Sequence, residues 1–179
     1  SGLGYTMAGW DFTRPEIAEA LQNRRMLNPA YELSSNICPW NCFFCFTEDP
    51  ENPEGRKLRL ASELSLEERI SLLAQSRDLG ARSINIIGAG EPTVDPHFWE
   101  IVEYINQNSM TPIVYTEGAL RLTDPEFTKR LYDAGATVVL KVNSLENETY
   151  QNSVVTGGTP RESAPKMNYF QRRNEALET

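Results

Sequence analysis

The chain has 179 residues, 40% of them hydrophobic and 23% charged, with a formal net charge of −8, the make-up of one globular domain with its own core. No apolar run approaches the roughly 20 residues that span a bilayer, and no basic segment followed by an apolar one marks a signal peptide, so neither membrane insertion nor secretion is expected. An acidic surface repels phosphate backbones; Arg24-Arg25 and Arg172-Arg173 read as isolated pairs on solvated helix faces, and nucleic acid is disfavoured as a partner.

Pro15 opens an amphipathic stretch predicted as a helix ending near Asn28-Pro29, and residues 1–30 read as a helical prelude to the rest. Residues 31–37 alternate enough to form a strand. The cysteines follow, and residues 47–60, rich in proline and charge, read as a loop. Ser65 with Glu68 three residues on is a capping box for a helix that Gly80 ends. Residues 83–88 are a short buried strand. Asp95-Pro96 supplies a cap and a first-turn proline for a second helix, whose Phe98, Ile101, Val102 and Ile105 share one face. Residues 112–116 form the next strand. Asp124-Pro125 opens a third helix with Phe127 and Leu131 inward, and residues 137–142 are the strand after it. Residues 168–179 begin another helix. Asp78-Leu79-Gly80-Ala81 and Asp133-Ala134-Gly135-Ala136 repeat one helix-to-strand turn. Strands alternating with helices make parallel βα units. The result is an α/β sheet, doubly wound or barrel-like, whose ligands gather at the C-terminal ends of the strands.

Cys38, Cys42 and Cys45 are all the cysteines of the chain and fall within eight residues, unlike the even, dispersed set of a disulfide framework. Without a secretion signal they read as a reduced, cytoplasmic metal or redox site. Their spacing is C-x₃-C-x₂-C, just after a strand. Iron–sulfur clusters normally take four thiolates; three can hold three irons of a cubane and leave the fourth for a small chelating molecule. The amino and carboxylate groups of a methionine moiety fit that position. Zinc wants four ligands and would have to recruit His97, the single histidine. A Cys42-x-x-Cys45 dithiol would have no need of Cys38.

This loop, with its place ahead of the later strands, resembles the radical S-adenosylmethionine (radical SAM) superfamily over about residues 31–150. The resemblance implies a partial (β/α)₆ barrel, with residues 31–179 as an incomplete core of about four βα units. It implies a [4Fe–4S] cluster on Cys38, Cys42 and Cys45, with S-adenosylmethionine bound to it. Phe44, before the last cysteine, takes the place of the family's aromatic beside the adenine. Gly88-Ala89-Gly90-Glu91 resembles the family's Gly-Gly-Glu motif, with Ala89 in the first-glycine place; Gly88, Gly90 and Glu91 then face the cofactor's amino group. A glycine at a strand end also lets a ligand approach the backbone. Thr116-Glu117-Gly118 resembles the family's Thr-Asn-Gly, placing Thr116 near the cofactor. Counting back from Glu148-Thr149-Tyr150 sets Lys141 on the ribose, with Ser144 and Asn143 as fallbacks. The implied activity is reductive cleavage of S-adenosylmethionine to a 5′-deoxyadenosyl radical, which abstracts hydrogen from a small-molecule or peptide substrate. An external donor supplies the electron. The family's fifth and sixth strands have no counterpart, so the chain is expected to be part of a longer protein. The competing readings are an iron–sulfur scaffold without radical chemistry and a zinc-binding interaction module.

Overall fold

The computed structural model describes residues 7–34, 37–45, 63–156 and 167–179; the loop expected at 47–60 lies outside them. Four strands, β1 (Ala30–Ser34), β2 (Ser83–Gly88), β3 (Thr111–Thr116) and β4 (Thr137–Leu140), pair in parallel. Their order in the sheet is β1-β2-β3-β4. Spatial order equal to chain order has no reversal point, so this is the barrel-type arrangement and not the doubly wound one.

The helices are α1 (Arg14–Gln22), α2 (Leu66–Asp78), α3 (Phe98–Gln107), α4 (Pro125–Asp133), α5 (Glu148–Thr156) and α6 (Tyr169–Glu178). The capping box of Ser65 and Glu68 starts α2 as expected, and Asp124 caps α4. Two helix boundaries differ from the sequence reading. Helix α1 starts from a Thr13–Glu16 capping box and stops at Gln22, because Arg24 turns into the left-handed region (φ 53°). Helix α3 begins only at Phe98, with no side-chain cap at His97. Asp95 instead follows a separate 3₁₀ turn, Pro92–Val94. Both repeated helix-to-strand turns use a glycine at positive φ, Gly80 and Gly135.

Alternate residues of each strand face opposite sides. Ile84, Ile86 and Val114 face the helices and form one core with Leu73 of α2, Ile101, Val102 and Ile105 of α3, and Leu131 of α4. Each such side chain contributes about 1.5–3 kcal/mol by leaving water. The other face carries Ser83, Asn85 and Ile113. Residues 8–10 lie across it: Ser83 Oγ donates to Gly9 O (2.6 Å), Trp10 Nε1 to Asn85 Oδ1 (3.2 Å) and Thr137 Oγ1 to Ala8 O (2.8 Å). The prelude is thus stitched to the N-terminal end of the sheet. The motifs converge at the opposite end.

Candidate cofactor site

A cleft of about 420 Å³ opens at the C-terminal ends of the strands, within the usual size of small-molecule sites. Cys38, Cys42, Cys45, Phe44, Gly88, Ala89, Gly90, Glu91, Thr116, Glu117 and Lys141 all line it. Ile87, Tyr115 and Val139, from the prelude-covered face of β2, β3 and β4, join them. Ser144 does not: its hydroxyl accepts from Glu146 N (3.3 Å) and Asn147 N (2.9 Å), bracing the approach to α5. His97 does not reach the cleft either, and lies beside Glu100, which removes the ligand that zinc would need.

The cysteine loop is held by backbone bonds to distant elements. Asn41 N donates to Val155 O (2.9 Å) and Phe43 N to Val154 O (3.3 Å), so the loop satisfies carbonyls that the C-terminal turn of α5 leaves open. Trp40 is buried, edge-on to Tyr169 with ring centroids 5.0 Å apart. None of the three thiols is in a disulfide. Burial pushes the Cys38 thiol up to about 12, and Glu91, Cys42 and Glu117 add to that against the Trp40 backbone N–H.

The Gly88–Glu91 turn is tied to the same loop, with Glu91 N donating to Ile37 O (2.8 Å). Gly88 must be glycine, because a β-carbon there would drive into Ser34 Oγ and Gly90 O. Glu91 is the hub of this end of the sheet. Its Oε1 accepts from Thr93 N (3.1 Å), Thr93 Oγ1 (2.6 Å) and Thr116 Oγ1 (2.6 Å), and its Oε2 from Glu117 N (2.9 Å). Burial pushes its carboxyl up while these four donors pull it down. Glu117 is a second buried carboxyl, accepting from Ala119 N (2.9 Å) and Leu120 N (3.1 Å). It is pushed up to about 8, first by burial and then by the charge of Glu91.

Lys141 is expected inside the last strand, but β4 ends at Leu140. The lysine sits one residue beyond, with Nζ 3.1 Å from Cys42 Sγ and 4.6 Å from the Phe44 ring centroid. Its burial is partial, which answers the cost of placing an amine in an apolar strand.

Several residues that build the site carry no motif. Arg69 is buried, donating to Leu33 O (2.6 Å), Leu64 O (3.0 Å) and Asp95 Oδ2 (3.1 Å). It clamps the end of β1 to the segment after Glu91. Asp95, expected as a helix cap, is therefore a buried ion-pair partner that also accepts from His97 N. Arg173, expected on a solvated face, is fully buried and donates to Ser144 O (2.8 Å). The Tyr169 hydroxyl donates to Glu117 O (3.0 Å) and reaches Lys141 O (3.4 Å). In the sequence, Glu117 was visible only as the middle residue of Thr116-Glu117-Gly118, with no role of its own.

The donor set suits an iron–sulfur cluster: three sulfurs line one cleft, and soft thiolates favour such clusters. Among the described residues no group of three or more His, Cys, Asp or Glu side chains stands ready to hold a bare metal ion.

GTP 3′,8-cyclase of Aeromonas hydrophila subsp. hydrophila is 27% identical over 125 residues, covering 69% of this chain and 35% of that protein. The fold matches SuiB of Streptococcus suis bound to S-adenosylmethionine, at TM-score 0.58 and 18% identity over 81% of this chain and 32% of that one. SuiB bound to its precursor peptide SuiA gives TM-score 0.57, again at 18% identity, over 81% of this chain and 31% of that one. The chain therefore spans about a third of the length of these relatives. The family model of the radical SAM superfamily matches residues 33–174, from the end of β1 into α6. By a match of that extent, the chain belongs to the radical SAM superfamily.

Proposed function

We propose that Cys38, Cys42 and Cys45 hold a [4Fe–4S] cluster, that S-adenosylmethionine binds beside it in the same cleft, and that the chain is the radical-forming part of an enzyme. One observation carries this reading: the three thiols and the Gly88–Glu91 turn, 43 residues apart at their nearest motif positions Cys45 and Gly88, line one cleft at the strand ends. When bound, this cofactor pair supplies one-electron cleavage of the sulfonium, giving methionine and a 5′-deoxyadenosyl radical that takes hydrogen from the substrate.

The chain's own residues bind, orient and exclude water. Gly88 and Gly90 leave backbone edges open to the cofactor's amino group, and the Glu91 carboxylate ties the end of that turn to Thr116 and the Glu117 backbone. Phe44, half exposed at the rim, offers a face to the adenine, and Lys141 a donor to the ribose. Thr116 sits beside the cofactor, although its hydroxyl already donates to Glu91 and accepts from Gly118 N. Ile87, Tyr115 and Val139 form an apolar wall that keeps water from the reacting centre.

The substrate is a small molecule or a peptide. GTP 3′,8-cyclase bears the name of a nucleotide cyclase, and SuiB is bound to a precursor peptide; these support the two classes. An external donor supplies the electron.

Anaerobic reconstitution tests the reading. We expect about four irons and four sulfides per chain, with loss of the brown chromophore when any one of the three cysteines is replaced by Ala. Added S-adenosylmethionine should change the EPR signal of the reduced protein, and 5′-deoxyadenosine should form. Stoichiometric zinc without sulfide would overturn the cluster. A cluster indifferent to S-adenosylmethionine would favour a scaffold.

A further inference from the structure

Among the described residues lining the cleft, Lys141 is the sole cation, and it shares the space with two buried carboxyls, Glu91 and Glu117. Its backbone is held on both sides: N–H donates to Thr116 O at 2.9 Å, and the carbonyl faces the Tyr169 hydroxyl at 3.4 Å. That anchoring aims the side chain back across the cleft. There Nζ lies 3.1 Å from Cys42 Sγ, within hydrogen-bond reach of sulfur, and packs on the Phe44 face.

We infer that Lys141 donates to the Cys42 sulfur and so holds the cluster's reduction potential above the value its carboxyl-rich surroundings would otherwise impose. The inference rests on the cluster proposed above. Reduction adds negative charge that is shared with the ligand sulfurs. A hydrogen bond to sulfur and a nearby positive charge stabilise that reduced state more than the oxidised one. The interaction is strengthened by partial exclusion of water. A lysine carries three donors, so one amine serves Cys42 and still has hydrogens for a ribose hydroxyl. Among the described residues lining the cleft no other cation is present to offset the charge of an incoming electron.

Potentiometric EPR titration of reconstituted protein without S-adenosylmethionine tests it, using wild type, Lys141→Met, Lys141→Gln and Lys141→Arg. The Met and Gln variants should both titrate at more negative potential, with Arg largely restoring the wild-type midpoint. Iron and sulfide content of the wild type reports separately on the cluster assignment. A loaded wild type whose midpoint is matched by a loaded neutral variant overturns the inference alone. So does a neutral variant that binds S-adenosylmethionine more weakly at an unchanged midpoint, because the amine then serves only the ligand. If Met prevents loading, the Gln variant decides by the same criterion.

Discussion

Glu91 shows how one side chain acquires two duties. Its position beside the cleft suggests a ligand contact, yet its oxygens already take four donors from Thr93, Thr116 and Glu117. Replacing it with Ala would leave those buried donors unmatched, and each unsatisfied buried group costs about 1–3 kcal/mol. Glu91→Ala is therefore expected to lower the urea midpoint as well as any cofactor response. Glu91→Gln keeps the shape and one acceptor oxygen and should cost less. Urea denaturation of the two variants checks this; equal stability of Glu91→Ala and wild type would refute the bracing role. Glu117 adds a second buried carboxyl whose backbone N–H and carbonyl are both engaged, so it is structural as much as it is cleft-lining.

Helices α5 and α6 reach the site from behind. The last carbonyls of α5 accept from the cysteine loop, at Asn41 and Phe43. The first residue of α6, Tyr169, touches Trp40 in that loop and the ends of both β3 and β4. Burial, with the nearby Glu117 charge, pushes the Tyr169 phenol upward, so it remains a donor. Tyr169→Phe keeps the ring and removes the hydroxyl; the loss should be about 0.5–1.5 kcal/mol, the net worth of one hydrogen bond. Tyr169→Ala also opens a cavity under Trp40 and should cost about 3–5 kcal/mol, as large aromatic truncations do. Thermal melting of both variants measures the difference. A Phe variant as damaged as the Ala variant would show that the hydroxyl, and not the ring, carries the packing.

At the level of the whole molecule, among the described residues the sheet has two ends, and β4 is one of them. Beside it runs a groove lined by Leu122, Leu131, Val138, Leu140, Ala176 and Leu177, with Val138 and Leu177 exposed. An edge strand flanked by apolar side chains is prone to pair with another chain, and a charged edge residue suppresses that. Val138→Lys should reduce concentration-dependent self-association of this chain in light scattering, while its unfolding free energy stays within about 0.5 kcal/mol of wild type. Unchanged self-association in the variant would show that copies of the chain do not meet through this edge. Among the described residues no helix is long and apolar enough to cross a membrane.

What sequence alone determined about this protein is local. The spacing of Cys38, Cys42 and Cys45, the Ser65–Glu68 capping box, the apolar face of α3 and the alternation of strands with helices are carried by residues a few positions apart, where backbone geometry leaves little choice. The convergence of the cysteines, the Gly88–Glu91 turn, Thr116 and Lys141 on one cleft followed from βα order, since parallel strands bring their C-terminal ends together. Tertiary structure alone decided the fate of the charges. Arg69 meets Leu33 across 36 positions, Tyr169 meets Glu117 across 52 and Lys141 meets Cys42 across 99. A basic or acidic residue has the same local signature whether it is solvated or buried, because burial depends on a partner supplied from elsewhere in the chain. For that reason Arg173 and Asp95 read as surface and cap residues, and only the folded chain shows them buried.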